Sequence, residues 1–196
     1  MKDINDFLQV ILFEDTDYLT AGLKAYLEQM GYQWKEEQII GFRMDDDYTD
    51  DYTDWFVIIK GDTVIAIPGS TKPGSYWRNL GKGGTQKEGQ TIGMWAKGNT
   101  AWSGLPYLQQ IKPCTCYRDH SKLDHIDRDA PLDTGNFENN FHSWKGIGED
   151  GKVYNVSEMC QVTEPEENAA AFELLKQFDD LNNINYTLIF TGAFLS

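Results

Sequence analysis

The sequence is poor in cysteine and in basic side chains, and each shortage excludes a class of protein. It has three cysteines in 196 residues, Cys114, Cys116 and Cys160. An odd count in a chain of this length does not suggest a disulfide framework. The 17 basic residues are outnumbered by 31 acidic residues, which gives a formal net charge of −14. Because nucleic-acid binding depends on clustered Lys and Arg that neutralise phosphates, we expect no nucleic-acid partner.

Long apolar runs and targeting segments are also missing from the sequence. No stretch approaches the roughly 20 apolar residues that cross a bilayer as a helix. The first turns of the chain carry one lysine and several acids and lack a small-residue cleavage site, so they do not resemble a signal peptide. We therefore expect synthesis in the cytoplasm without a signal peptide, and no membrane span.

The composition is globular, and its patterns predict an α+β fold. Helical spacing of apolar residues predicts two early helices, over 4–12 and 19–30, the second ending at Gly31. Apolar and β-branched runs predict strands further along, over 55–59, 63–67, 107–117 (two strands about Pro113), 137–142, 153–156 and 186–190. One late helix is predicted to begin at Pro165. We therefore divide the chain into a helical N-terminal region with an acidic loop, 1–54, and a mostly-β body, 55–196.

Two segments, one rich in aspartate and one with cysteine and histidine, contain possible metal ligands but lack the residue patterns of the usual metal sites. Six aspartates lie between residues 45 and 54, and we interpret this segment as a solvated loop because closely spaced like charges repel. A calcium site is the alternative there, but the glycine and terminal glutamate of the usual loop are missing. Cys114, Cys116, His120 and His125 are zinc-type ligands, yet Cys-x-Cys spacing is too tight for the usual zinc knuckle. We expect no metal and no cofactor.

Charge is unevenly distributed along the chain. Residues 1–68 carry a net −10 and residues 130–196 a net −8, whereas residues 69–129 carry a net +4. The basic segment is also rich in glycine and tryptophan, which indicates short strands and ordered loops. Its tryptophan rings either pack in the core or line a site for a sugar or a peptide. Its cations are candidates for a substrate-facing surface, namely Lys72, Arg78, Lys82, Lys87, Lys97 and Arg118.

His142 and Cys160 form the candidate pair for chemistry. A cysteine nucleophile needs a base or a cation beside it to form thiolate near neutral pH, and histidine is the usual base. The two residues belong to segments joined through the turn region 146–151, which neighbouring strands would bring together. The alternative is an unreactive packed cysteine, because free cysteine is among the most buried residue types.

Several separated segments around this pair follow one known pattern. They are Asp133-Thr134-Gly135-x-Phe137, Asn140-Phe141-His142 and Ser157-x-x-Cys160-Gln161-Val162, preceded by Pro68-Gly69-Ser70-Thr71-x-Pro73-Gly74, Gly89-Gln90 and Tyr117-Arg118-Asp119. Fourteen residues separate His142 from Ser157. In this order and spacing, the segments resemble the catalytic domain of L,D-transpeptidases, in particular a branch encoded by phages and bacteria. The resemblance runs from about residue 55 to the end of the chain.

The resemblance implies a mostly-β L,D-transpeptidase-like domain that performs acyl transfer on peptidoglycan stem peptides through a thioester. Cys160 would be the nucleophile, His142 the base, and Ser157 a residue that shapes the turn and orients His142. The main-chain N–H groups of Met159 and Cys160 would form the oxyanion hole. Substrate-binding side chains would then be Trp95, Trp102, Arg118, Asn140 and Gln161.

Two positions depart from the pattern and keep a second function open. Met159 replaces the glycine before the cysteine, and Glu138 replaces the first glycine of the F-G-I-N segment. A positive φ at Met159 would cost about 1–2 kcal/mol. The alternative is a catalytically decayed cell-wall-binding or structural module of a phage particle or secreted assembly, with residues 1–54 as a docking region. Lysis or an injection apparatus, as for a toxin or effector, would bring either protein to the cell wall.

Overall fold

The computed structural model of the protein describes residues 16–48, 50–100, 104–118, 124–143 and 152–191. The helix predicted over 4–12, the turn region 146–151 and Trp102 lie outside these ranges. The helices are α1 (Thr16–Gln29), α2 (Ser75–Asn79) and α3 (Pro165–Leu175). The strands are β1 (Glu37–Arg43), β2 (Asp54–Lys60), β3 (Thr63–Ser70), β4 (Thr85–Gln86), β5 (Gly89–Thr100), β6 (Pro106–Gln110), β7 (Cys114–Tyr117), β8 (Leu132–Gly135), β9 (Phe141–His142), β10 (Gln161–Thr163) and β11 (Ile184–Phe190).

Eight of these strands close into a barrel, and three form a small separate sheet. The barrel order is β1-β11-β5-β6-β9-β10-β3-β2, and the small sheet has the order β4-β7-β8. The described part of the chain is thus mostly β with a few helices, which confirms the coarse prediction of a strand-rich α+β fold. No helix within the described ranges is long and apolar enough to span a bilayer.

The predicted hairpin is present, but the sheet begins earlier than expected. Strands β2 and β3 pair antiparallel around Gly61, whose φ is +56°. Strand β1 pairs antiparallel with β2 and parallel with β11. The prediction missed β1, because residues 37–43 were assigned to the helical N-terminal region. Gly41, which reads as a strand breaker, is required there because a Cβ would overlap the Tyr186 hydroxyl.

Alternation along β1 and β2 supplies two apolar cores. Ile39 and Ile58 face the core that includes α3, β5 and β11. Ile40 and Val57 face the opposite way, toward a core completed by Leu23 of α1. Because the two sides of this sheet are both covered, its strands are almost continuously apolar rather than alternating.

Two predicted strands are corrected by the structure. Residues 153–156 form a tight turn, closed by a hydrogen bond of 2.7 Å from the Val156 N–H to the Val153 oxygen. Residues 137–142 contain a strand only at β9, because Glu138 has a φ of +59°, which a β-strand cannot accommodate. The late helix α3 does begin at Pro165, as predicted, with Glu166 in its first turn.

The aspartate-rich segment is tied into the fold, so the prediction of a solvated loop was wrong. Asp54 is fully buried and accepts hydrogen bonds from the Thr71 N–H at 2.8 Å and the Thr71 hydroxyl at 2.7 Å. Asp45 pairs with Lys72 at 2.7 Å. Lys72 is itself only 3% exposed, which removes it from the expected substrate-facing surface. Asp54 is thus an internal hydrogen-bond acceptor, whereas Asp45 pairs with Lys72 from a half-exposed position.

Candidate active site

The pairing of β9 with β10 brings the predicted dyad to neighbouring positions. The strands are parallel, with Gln161 opposite Phe141 and Val162 opposite His142. Gln161 and Phe141 are fully buried, whereas His142 is half-buried. Cys160 directly precedes β10 and is also half-buried. Since side chains alternate along a strand, this pairing directs Cys160 and His142 to the same face of the sheet.

A main-chain carbonyl engages the Cys160 thiol. Its Sγ donates to the Glu138 oxygen at 3.2 Å. Burial raises the pKa of the thiol to about 11; the carboxylates of Glu158 and Glu138 also raise it, whereas main-chain hydrogen bonds from Asn140 and Met159 lower it. In the resting protein, Cys160 therefore carries a thiol rather than a thiolate at neutral pH.

His142 is poised as a neutral imidazole. Burial lowers its pKa, and its hydrogen bond with the Ser143 carbonyl opposes that effect only in part. Nδ1 lies 3.3 Å from the Ser143 oxygen, so the tautomer with hydrogen on Nδ1 leaves the Nε2 lone pair free. The imidazole and the Cys160 thiol share no hydrogen bond in the described part of the chain. Proton transfer between them requires the thiol to turn away from Glu138.

Ser157 lies in the turn before Cys160, as the resemblance implies. Its hydroxyl donates to the Cys160 oxygen at 2.8 Å, which closes the turn. Its carbonyl accepts the N–H of Gly74 at 2.8 Å, and the imidazole of His142 bonds the Ser143 carbonyl, so the orienting role of Ser157 stays a prediction. A Cβ at Gly74 would overlap the Tyr154 carbonyl, so this close approach requires glycine.

Met159 is accommodated without the strain anticipated from the sequence. The described non-glycine residues with positive φ are Asp50, Glu138 and Tyr154, so the Met159 backbone is not left-handed. Its side chain is buried, and its sulfur packs against Gly84, whose N–H donates to the Glu158 oxygen at 3.1 Å. The methionine therefore fills space beside Cys160 without adopting a left-handed backbone.

Main-chain N–H groups influence the Cys160 thiol. Those of Asn140 and Met159 lower its pKa. No acceptor within the described residues takes the N–H of Cys160, whereas the Gln161 N–H donates to the Asn140 oxygen at 2.9 Å. The oxyanion hole of Met159 and Cys160 stays a prediction, to which the influence of Asn140 adds a further candidate donor.

Two of the expected substrate-binding side chains lie in the core, so those predictions were wrong. Trp95 is 0% exposed, and its Nε1 donates to the Asn139 oxygen at 2.7 Å. Gln161 is also 0% exposed; it accepts the Tyr186 hydroxyl at 2.7 Å and donates to Asn139 Oδ1 at 3.3 Å. Both residues support the site from behind and do not contact a substrate in this conformation.

Arg118 and Asn140 lie at the surface of the site region. The Arg118 guanidinium stacks over the Phe137 ring, 4.3 Å from its centroid, and pairs with Asp133 at 3.1 Å. Asn140 is half-buried, and its Oδ1 accepts the Gln110 N–H at 2.9 Å. A substrate carboxylate would therefore compete with Asp133 for Arg118.

The sequence analysis missed the residues that hold the Glu138 carbonyl against Cys160. The main one is the buried side-chain amide of Gln110, which accepts the N–H groups of Phe137 and Asn139 on either side of Glu138. One feature of the pattern indicated an unusual backbone at residue 138. The L,D-transpeptidase-like pattern has glycine at this position, and glycine is the residue that most readily adopts the left-handed conformation. The partners of that backbone come from strands far away in sequence, so no local motif identifies them.

The alternative zinc ligands form no metal site in the part of the chain that the structure describes. Cys114 and Cys116 share one face of β7 and are both buried. His125 is exposed and bonds Asp124, while His120 lies outside the described residues. Within the described ranges, no group of three or more His, Cys, Asp or Glu side chains has an arrangement that could hold a metal ion.

Comparison with known proteins gives no family for this chain, so the functional proposal depends on its residues and their geometry. No protein-family model matches the sequence, and no curated protein matches it.

Proposed function

We propose that the chain is a cysteine-dependent acyl transferase of the L,D-transpeptidase type that acts on peptidoglycan stem peptides. The observation that carries this proposal is the parallel β9–β10 pair, which directs His142 and Cys160 to one face. Glu138 supports it independently. This residue stands where the resembled pattern has glycine, and its φ of +59° is a conformation that suits glycine best.

An L,D-transpeptidase-like fold of the β-rich body is part of the proposal. Segments of the pattern that are far apart in sequence meet around Cys160 in the structure. Gly69 and Ser70, from the first segment, pair with Thr163 and Val162 in β10. Gly74, from the same segment, bonds the Ser157 carbonyl. A chance match between scattered short motifs would not be expected to bring them together in this way.

The proposed reaction begins with transfer of the Cys160 proton to His142. The thiolate attacks the carbonyl carbon of the third stem residue, and the main-chain N–H groups around the sulfur stabilise the oxyanion. The bond to the terminal D-residue breaks, and the leaving amine takes the proton from the imidazolium. Attack on the thioester by an amine gives a cross-link, and attack by water gives a trimmed stem and frees Cys160.

The test is mass spectrometry of the full chain after incubation with a disaccharide tetrapeptide. We expect an acyl adduct on Cys160, or loss or exchange of the terminal D-alanine. Cys160→Ala removes both signals, while Cys116→Ala, which alters a buried thiol of the small sheet, serves as the matched control. Absence of adduct and turnover with folded wild-type protein would overturn the proposal.

A decayed wall-binding or structural module is the second candidate, and one observation favours it. The thiol of Cys160 is held by a carbonyl and not by His142, and its pKa is raised to about 11. Such a module would sediment with insoluble peptidoglycan as wild type and as Cys160→Ala alike, with no change in the stem peptides. Turnover that depends on Cys160 would exclude it.

A further inference from the structure

The backbone on both sides of Glu138 is fixed by side chains from the barrel. The Oε1 atom of Gln110, at the end of β6, accepts the N–H groups of Phe137 and Asn139, each at 2.9 Å. Nε1 of Trp95, in β5, donates to the Asn139 oxygen at 2.7 Å. These bonds bracket the Glu138 peptide, whose carbonyl accepts the thiol of the candidate nucleophile.

The orientation of the Gln110 carboxamide is itself determined. The residue is only 6% exposed. Its Nε2 donates to the Lys112 oxygen at 2.8 Å and the Gly135 oxygen at 3.2 Å, and lies 3.4 Å from Cys114 Sγ. Both ends of the amide are therefore engaged, so Oε1 faces residues 137–139 and the amide has no alternative orientation that satisfies both ends.

The hydrogen bonds that Gln110 and Trp95 make with residues 137–139 form a clamp, which holds Glu138 in a conformation that it would not adopt by itself. A non-glycine residue with a φ of +59° is strained, and such strain persists only where the surroundings over-determine the backbone. Without an acceptor for the Phe137 and Asn139 N–H groups, the segment relaxes toward ordinary φ. The Glu138 carbonyl would then move away from the Cys160 sulfur.

We propose that Gln110 is the positioning residue of Cys160, because it holds the Glu138 carbonyl that accepts the thiol hydrogen and sets the direction of the sulfur. The term nucleophile for Cys160 rests on the function proposed above. In this arrangement a substrate must displace the thiol from the carbonyl before His142 can take the proton. The charged groups that act on the thiol are the carboxylates of Glu158 and Glu138, and the titratable His142 lies on the same face of the β9–β10 pair.

The first test is thiol alkylation in Gln110→Met, a variant of similar length whose thioether donates no hydrogen bond and accepts only weakly. Iodoacetamide labelling of each cysteine is followed by peptide mass spectrometry between about pH 6 and pH 9. We expect Cys160 to react about threefold faster or more, because the thiol loses an acceptor that stabilises its protonated form. Cys116, which is 0% exposed, stays protected, and Gln177→Met, at an exposed position, behaves like wild type.

Two results would overturn the proposal. One is a Cys160 rate equal to wild type in folded Gln110→Met across the whole pH range. The other is a parallel rise at Cys160 and the buried Cys116, which indicates general opening instead of a local effect.

A second measurement keeps the proposal testable if Gln110→Met does not fold. The S–H stretching band of Cys160 is obtained in wild type as the difference from Cys160→Ala. We expect it at lower frequency than the band of a free thiol, since the S–H donates to a carbonyl, and we expect Gln110→Glu, which retains an acceptor oxygen, to preserve that shift. A free-thiol frequency in folded wild type would refute the positioning role.

Neither measurement uses peptidoglycan, so the two proposals fail separately. A failed stem-peptide assay together with the expected alkylation and S–H results rejects the acyl transferase and leaves the clamp around Glu138. Turnover of stem peptides together with an unchanged Cys160 rate in folded Gln110→Met rejects the positioning role alone.

Discussion

Replacing Glu138 by glycine separates backbone strain from charge at the candidate site. Glu138 is exposed and has a φ of +59°. A left-handed conformation costs a non-glycine residue about 1–2 kcal/mol, while glycine adds about 0.4–1 kcal/mol of chain entropy to be lost on folding. We therefore expect Glu138→Gly to stabilise the protein by about 1 kcal/mol, or to raise its melting temperature by about 2–4 °C for a chain of this size.

Glu158 provides a matched control on the other side of Cys160. It is also exposed, but its φ is not in the left-handed region. Glu158→Gly removes the same charge without relieving strain, so we expect a loss of about 0.5–1 kcal/mol from the entropy of the added glycine. Urea unfolding followed by the fluorescence of the six tryptophans measures both variants under the same conditions.

The two variants are expected to agree in reactivity although they differ in stability. The carboxylates of Glu158 and Glu138 both raise the pKa of Cys160, so removal of either one lowers that pKa. Below the pKa, a lower value means more thiolate and faster alkylation by iodoacetamide at a given pH. A destabilised Glu138→Gly, or stability changes of the same sign in both variants, would refute the assignment of strain to position 138.

Three further substitutions test other parts of the structure. Gly74→Ala forces a Cβ against the Tyr154 carbonyl and should destabilise the protein by about 2–3 kcal/mol in thermal unfolding. Tyr186→Phe removes the hydrogen bond to Gln161 and should cost about 1–2 kcal/mol in urea unfolding. Burial raises the pKa of Glu88, but the opposite effect of Arg43 and Arg128 is larger, so the pKa of Glu88 in the folded protein is lowered. The stabilisation that ionised Glu88 provides is therefore present above its unfolded-state pKa of about 4.3 and is lost as the pH falls through the folded-state pKa. Urea unfolding at a series of pH values should therefore show Glu88→Gln about 3 kcal/mol less stable than wild type at neutral pH, with a flatter loss on acidification; equal acid profiles would contradict this reasoning.

Elements with a local cause were predictable from the sequence. The β2–β3 hairpin follows from two β-branched runs around Gly61, and α3 follows from Pro165 at its first turn with acids beside it. The adjacency of His142 and Cys160 was expected from the motif, and their segments do pair. In each case the information lies within a few residues or in a known spacing.

Elements with a distant cause were not predictable in the same way. Strand β1 is stabilised between β2, the next strand in the sequence, and β11, which comes from the far end of the described chain. Gln161 and Trp95 were expected to face a substrate because polar and aromatic side chains near a nucleophile often do so. Their partners, Tyr186 and Asn139, turn them inward instead. Only the assembled barrel determines which face each residue presents.

Buried polar groups also connect the candidate site to an ion pair elsewhere in the barrel. Arg43 is fully buried; it pairs with Glu88 at 2.6 Å and donates to the Gln86 oxygen at 2.9 Å. The side chain of Gln86 accepts Asn139 Nδ2 at 2.6 Å, and Asn139 adjoins Glu138, the residue that holds the Cys160 thiol. Because an unpaired buried polar group costs about 1–3 kcal/mol, loss of Arg43 would disturb Gln86 and, through Asn139, the backbone beside Cys160. Arg43 therefore supports the buried amides of Gln86 and Asn139 beside Cys160 and is not available to a partner. The net charge of −14 does not reveal this arrangement.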